Sequence, residues 1–364
     1  MTTTPLTGHV DRATTAPHTP ATAATATSVA PGLRVRDLHV SFALDDGTYP
    51  VVSGVDLTLQ PGERMALVGE SGSGKTVTIL SLLRLLPGMA RIEARELLVA
   101  GHDVLALDER RLAGVRGKDV AMIFQDPMSS LNPVLRIERQ MTAPMRRHLG
   151  LSTKEAREQA ATLLGRVGIP DPARCLRAYP HELSGGMRQR VMIAIALACR
   201  PRVLLADEPT TALDVTIQAQ IIRLLTELCD DLGLVCLLVT HDLGVVARFA
   251  HRVAVMYAGR VVEEGPVRDV FARPRHPYTR ALLASMPTTD RQASLRQIDG
   301  APPGLRARAG GCAFHPRCPT AVDICRVGVP ELADHGSQHL AACHVTAPDA
   351  GASTQRPCAQ GGVS

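Results

Sequence analysis

Gly69-Glu70-Ser71-Gly72-Ser73-Gly74-Lys75-Thr76 fits the spacing G-x-x-x-x-G-K-[ST] without a gap. Residues of these types at this spacing bind phosphate. Glycines let backbone N–H groups turn inward around phosphate oxygens. A helix beginning near Lys75 adds its positive end. Lys75 is expected to reach the β- and γ-phosphates, and the Thr76 hydroxyl to sit on Mg²⁺. A second group is Val203-Leu204-Leu205-Ala206-Asp207-Glu208, an apolar run that delivers two acids. Asp207 is expected in the Mg²⁺ shell, and Glu208 is expected to orient or deprotonate an attacking water. A third, Leu183-Ser184-Gly185-Gly186-Met187, offers a hydroxyl and glycine amides ahead of a helix. It makes a second anion-binding corner, more than one triphosphate needs from one chain.

These groups need elements to position them. Met65–Val68 reads as a strand and Val77–Leu86 as a helix, the strand–loop–helix context that a phosphate loop requires. Strands are also expected over 35–43, 49–59, 120–124, 203–206, 234–239 and 253–257, with helices over 187–198, 217–228 and 243–249. Strands alternating with helices argue for an α/β fold with a largely parallel, helix-covered sheet. Functional residues then belong at the C-terminal ends of strands, where Gln125, Asp207 and His241 fall. Between about 128 and 185 the pattern turns helical, with Ser152 and Glu155 spaced as a capping box.

Composition narrows the function. The net charge of +5 is small for 364 residues, and no long basic stripe accompanies it, so no nucleic-acid partner is expected. Trp is absent and Phe and Tyr are few, which disfavours base-stacking platforms. Only Lys75, Lys118 and Lys154 are lysines, so a lysine in the phosphate loop stands out. No apolar stretch reaches 18 residues and no secretory signal is read, so an intracellular protein able to dock on a membrane partner is expected. Residues 1–30, rich in Thr, Ala and Pro, read as a disordered leader, and 346–364 as a disordered tail.

Taken in order, these strings resemble an ATP-binding cassette (ABC) protein, a P-loop NTPase with a helical subdomain. The resemblance covers about residues 33–285. It implies a Walker A loop at Gly69–Thr76 and a Q-loop residue at Gln125. The signature is then Leu183-Ser184-Gly185-Gly186-Met187, with Ser184, Gly185 and Gly186 at the nucleotide, and Walker B ends at Asp207 with Glu208. A D-loop at Ala212-Leu213-Asp214 and a switch histidine at His241 complete the set. In that family two cassettes stack head to tail, each ATP lying between Lys75 of one and the Ser184/Gly186 corner of the other. Ser71, Gly72, Ser73, Gly74 and Asp214 would join the nucleotide site. Gln125 would contact Mg²⁺ and link the nucleotide to the helical insertion, and His241 would contact the γ-phosphate. An aromatic ring near the start stacks on adenine; Tyr49 is the first choice and Phe42 the alternative.

Longer strings narrow the likeness. Phe124-Gln125-Asp126-Pro127-Met128-Ser129-Ser130-Leu131-Asn132-Pro133, Tyr179-Pro180-His181-Glu182-Leu183-Ser184-Gly185-Gly186-Met187-Arg188 and His276-Pro277-Tyr278-Thr279 resemble the ATPases of dipeptide/oligopeptide importers, a group that includes nickel importers. The Gly-Gly-Met-Arg form looks like the "D" ATPase of such systems. The resemblance implies a sister ATPase, two membrane permeases, an extracytoplasmic solute-binding protein acting indirectly, and a place on the cytoplasmic face of the membrane. Residues 286–345 would form a C-terminal extension. In it Cys312, Cys318, Cys325 and Cys343 follow C-x5-C-x6-C-x17-C. Four thiolates can hold tetrahedral zinc or a [4Fe–4S] cluster. The resemblance favours the cluster, with zinc and free or disulfide-paired cysteines as alternatives.

Overall fold

The computed structural model describes residues 1–2, 32–126, 130–211, 213–286, 298–307 and 310–346. Nearly all of the expected leader, the tail past 346, most of the 286–310 connector and the D-loop residue Ala212 lie outside the described residues.

The chain begins with a hairpin, β1 (Leu33–Leu44) and β2 (Gly47–Leu59). Then come β3 (Arg64–Val68), α1 (Lys75–Ser81), β4 (Ala90–Glu93), β5 (Glu96–Val99), β6 (His102–Asp103), α2 (Glu109–Val115) and β7 (Val120–Ile123). A helical stretch follows with α3 (Ile137–Leu149), α4 (Thr153–Arg166), α5 (Pro172–Arg177) and α6 (Gly185–Leu197). Next are β8 (Val203–Asp207), α7 (Val215–Leu232), β9 (Val235–Thr240), α8 (Leu243–Phe249), β10 (Arg252–Tyr257), β11 (Arg260–Pro266), α9 (Val267–Ala272) and α10 (Pro277–Ala284). The described C-terminal residues add α11 (Ile324–Val327), β12 (Ala333–Asp334) and β13 (Leu340–Ala341).

Two sheets result. The larger runs β12-β13-β11-β10-β3-β9-β8-β7. Its β10, β3, β9, β8 and β7 are parallel, while β11, β13 and β12 close one side antiparallel. The smaller sheet, β2-β1-β5-β6 with β4 on β1, is antiparallel. A single parallel sheet is therefore only part of the architecture. The difference lies in β1 and β2, whose short turn permits only antiparallel pairing.

The parallel strands are covered on both faces, which is why they read as unbroken apolar runs. Alternation still sorts their side chains. Leu67, Leu205 and Leu237 pack with Val35, Leu57 and Val99 of the antiparallel sheet. Leu204, Ala206 and Leu238 face a core shared with Ile137, Met141, Leu164 and Ile193 of the helices. Ala66 and Val68 face a third core containing Tyr257, Tyr278 and Phe314. Each buried Leu contributes roughly 1.5–3 kcal/mol.

Local signals act as expected at α4. Ser152 Oγ accepts from Glu155 N–H at 3.3 Å, and the Glu155 carboxylate accepts from Ser152 N–H at 2.8 Å. Helix α1 stops at Ser81, five residues short of the expected end, because the chain turns there and Arg84 takes φ +50°. The described C-terminal residues are built into the larger sheet. Glu263 of β11, fully buried, accepts from Arg275 and Glu263 also from His276 N–H, and pairs with His339 beside β13 at 2.6 Å.

Candidate active site

The parallel strands bring their C-terminal ends to one edge. Val68 lies opposite Thr240, Val239 opposite Asp207, and Ala206 opposite Ile123. The residues that follow these strands, Gly69, His241, Glu208 and Gln125, therefore meet across neighbouring strands.

The phosphate loop leaves β3 at Gly69, where φ is +153° and an added Cβ would lie 2.2 Å from the Met256 carbonyl oxygen. Only glycine fits there. Gly74, at φ +105°, precedes α1 and leaves its first N–H groups free of any side-chain cap. Those groups are available to an anion. Lys75 is buried, and Nζ donates to the carbonyls of Gly69 at 2.8 Å and Glu70 at 2.9 Å. Burial lowers its pKa, opposed by the charges of Glu208, Asp207 and Glu70.

Thr76 Oγ1 donates to Asp207 Oδ1 at 3.3 Å. Asp207 is 3% exposed, and burial raises its pKa against the bond from Thr76. A buried carboxylate facing a hydroxyl at a phosphate loop suits Mg²⁺, which takes one or two protein oxygens plus phosphate oxygens. Thr76 and Asp207 fit that role. Gln125 Nε2 donates to Glu208 Oε2 at 3.1 Å.

Glu208 is the hub. Its φ of +44° is unusual for a residue with a side chain and is held by its N–H donating to Val239 O at 2.9 Å. Oε2 accepts from Thr211 Oγ1 at 2.9 Å as well as from Gln125, and Oε1 lies 3.1 Å from His241 Nδ1. Burial alone would raise the Glu208 pKa, but the hydrogen bonds from His241 and Thr211 outweigh it and lower the value. The carboxylate is thus charged at neutral pH, as a base must be. The His241 side chain is 64% exposed, so it is no packed core residue.

The signature corner has partners of its own. Ser184 caps α6, its Oγ accepting from Met187 N–H at 3.3 Å. A Cβ on Gly185 would meet Leu213, and one on Gly186 would meet Ile217 at 3.2 Å. Asp214 caps α7 by accepting from Ile217 N–H at 2.9 Å. Signature and D-loop residues therefore pack together within the chain. The two adenine-stacking candidates are cross-strand neighbours, Phe42 opposite Tyr49. Phe42 packs on the core and Tyr49 lies under the Arg306 guanidinium at 5.6 Å, both rings half-buried.

The cysteine group gathers but does not form a ligand set. Cys312 N–H donates to Cys325 O at 2.9 Å. Burial pushes the Cys312 thiol up, and nearby Cys325, Cys343 and Cys318 add to the rise. Yet among the described residues no three His, Cys, Asp or Glu side chains are placed to hold a metal ion. The expected four-thiolate site is not assembled here. Cys318 Sγ instead lies 3.4 Å from Thr320 Oγ1.

Three contributors escape a reading by motif. Thr211, which donates to Glu208, has no spacing rule of its own. Tyr278 Oη accepts from Glu70 N–H at 2.8 Å, and Arg317 grips the Glu70 carboxylate at 2.7 and 3.1 Å. Both come from more than 200 residues away, which local pattern cannot reveal.

Residues 52–211 match the ABC transporter family, and residues 262–325 match the oligopeptide/dipeptide transporter C-terminal region. The "Probable peptide ABC transporter ATP-binding protein y4tR" of Sinorhizobium fredii is 51% identical, over 85% of this chain and 94% of its own length. The chain belongs to the ABC transporter ATP-binding family, in its oligopeptide/dipeptide branch. The dipeptide transport ATP-binding protein DppD of Bacillus subtilis is 47% identical, covering 85% of this chain and 92% of that protein. Among solved structures, a dimeric ATP-binding cassette in a post-hydrolysis state bound to ADP and Pi superposes with a TM-score of 0.57 at 28% identity, over 65% of this chain and 99% of that one. This ABC ATPase has, among the described residues, no helix long and apolar enough to cross a membrane.

Proposed function

We propose that the chain is the ATP-hydrolysing motor subunit of a membrane importer for dipeptides or oligopeptides. The observation that carries the reading is Glu208, held by His241, Gln125 and Thr211 on the same sheet edge as Lys75, Thr76 and Asp207. The Lys75 ammonium and the free amides after Gly74 would bind the triphosphate. Glu208 would align a water for attack on the γ-phosphorus and take its proton, and His241 would steady both the carboxylate and the γ-phosphate. Thr76 and Asp207 would hold Mg²⁺, which would supply charge neutralisation on the phosphates.

Because Ser184–Gly186 offer a second anion-binding corner, more than one triphosphate needs from one chain, the reading includes a second cassette that completes each site. A sister ATPase of the same family is the proposed partner, as the dimeric cassette relative supports. The permease face is proposed at the apolar cleft beside Gln125, about 430 Å³ and lined by Leu85, Phe124, Leu131, Pro144, Met192 and Ile195. Phe124 is 42% exposed there, and a cleft of such residues suits an amphipathic helix end. The chain would thus sit on the cytoplasmic side of the membrane through two permeases, fed by an extracytoplasmic binding protein. The domain limits proposed are the cassette over 33–285, its helical subdomain over about 128–185, and an extension over 286–345.

The peptide cargo is supported by the match over 262–325 and by relatives described as peptide transport proteins. A [4Fe–4S] cluster, or zinc, on Cys312, Cys318, Cys325 and Cys343 is supported by their spacing and proximity, not by ligating positions. Iron and sulfide analysis of anaerobically purified protein beside Cys318→Ser tests it, absence of both elements being the negative result. The transport reading is tested on the purified assembly with its binding protein. ATP hydrolysis should rise with dipeptides or longer peptides. Stimulation by Ni²⁺ alone would move the cargo to the nickel branch.

A further inference from the structure

Glu70 is the first variable position of the phosphate loop, and a C-terminal side chain from 247 residues away holds its carboxylate. Arg317 Nη1 donates to Glu70 Oε2 at 2.7 Å and Nη2 to Oε1 at 3.1 Å, a bidentate fork. The other N–H groups are also used, on Tyr257 Oη at 3.3 Å, Ile298 O at 3.2 Å and Asp299 O at 2.8 Å. Five donors with five acceptors leave the guanidinium one orientation, and its side chain is only 6% exposed. It also lies 5.9 Å over the Tyr257 ring and 6.0 Å over Phe314. Those rings pack with Tyr278, whose hydroxyl accepts from Glu70 N–H.

Glu70 is thereby gripped at its carboxylate and at its amide, both times by residues of 262–325, the region shared with oligopeptide/dipeptide transporters. Its remaining backbone group, the carbonyl, accepts from Lys75 Nζ. A continuous line of hydrogen bonds runs from the C-terminal region through Glu70 to the lysine that meets the phosphates.

We propose that Arg317 is a positioning residue for the phosphate loop, and that through it the C-terminal region sets the affinity of this subunit for ATP. The inference rests on Gly69–Thr76 being the nucleotide loop. Arg317 touches no substrate; it fixes Glu70, and Glu70 fixes the loop carbonyls and the start of the amide cradle. Lysine in its place keeps the charge but loses the fork.

The test uses the full chain in its assembly, with Arg317→Lys, Arg317→Ala, Glu70→Gln, the double variant Arg317→Ala/Glu70→Gln, and Lys75→Ala. Thermal melting, equilibrium binding of fluorescent ATP and steady-state hydrolysis are measured. Arg317→Lys and Glu70→Gln are each expected to raise Kd and KM for ATP by about 10-fold, the scale of one lost charge-assisted contact, with kcat within about 3-fold. The double variant should lose no more than Arg317→Ala alone, since both act through one contact. Should Arg317→Ala fail to fold, Arg317→Lys and Glu70→Gln carry the test. Unchanged affinity in both of these would overturn the proposal, as would additive losses or a fall in melting temperature and kcat with KM unmoved. Lys75→Ala separates the two claims: retained ATP binding there removes the nucleotide loop, and the inference with it. Lost binding there beside unaltered Arg317→Lys removes the inference alone.

Discussion

Replacing Glu208 with glutamine separates chemistry from binding at this site. The substitution changes one carboxylate oxygen to NH₂ and removes the charge. Oε2 accepts from both Gln125 and Thr211, so the amide oxygen belongs on that side and the NH₂ faces His241 Nδ1, now 3.1 Å from Oε1. His241 can accept there as the neutral tautomer that carries its proton on Nε2. The three contacts persist in neutral form, and the fold should lose no more than about 1 kcal/mol. Lys75, Thr76 and Asp207 keep their own bonds, so ATP affinity should change less than about 3-fold. The proton acceptor, however, is gone. General-base catalysis contributes about 10²–10⁴-fold, on the order of 3–5 kcal/mol of barrier. Phosphate release from the assembled transporter should therefore fall by that factor, and ATP-bound cassettes should persist as a closed pair on size-exclusion chromatography. Hydrolysis within 3-fold of the parent rate would refute Glu208 as the base.

Other consequences are as specific. Glu264, buried beside Arg252, has its pKa raised by burial to about 7. Its folded pKa exceeds its unfolded one, so the folded state holds the extra proton, and stability falls as pH rises from about 4.5 through 7. Glu264→Gln should flatten that slope by on the order of 1–3 kcal/mol in melts between pH 5 and 8, since Arg252 retains Glu63 at 3.1 Å; an equal slope in both proteins would count against it. Gly69→Ala should cost at least about 2 kcal/mol and most ATP binding, because its Cβ has no room beside Met256 O; a variant that binds ATP like the parent contradicts the tight approach. Tyr49→Ala should weaken binding of ATP by roughly 5-fold if its ring carries adenine, the scale of one lost stacking contact; an effect of that size from Phe42→Ala alone would transfer the role to Phe42.

Much of the site was legible because its chemistry is local. A phosphate loop needs glycine, lysine and a hydroxyl at fixed spacing, and strand–loop–helix context is readable from apolar runs. Gln125, Glu208 and His241 follow strands, and parallel pairing brings their side chains together. Three things were not legible. The antiparallel layer of β1, β2 and β5 was one, since alternation does not report strand direction. The strands β12 and β13 are two residues each and too short for any periodic signal, so their addition to the main sheet was unseen. The cysteine spacing read as a ligand set, yet proximity of four thiols is a weaker condition than ligand geometry.

The most direct test of the motor assignment is uptake by proteoliposomes carrying the two permeases, both ATPases and the binding protein, with ATP supplied on the ATPase side. Radiolabelled dipeptide or oligopeptide should accumulate with ATP, fail to accumulate without it, and fail with Glu208→Gln despite normal ATP binding. Accumulation that persists with Glu208→Gln at the parent rate, or an assembly that moves no peptide while hydrolysing ATP in response to another solute, would contradict the account.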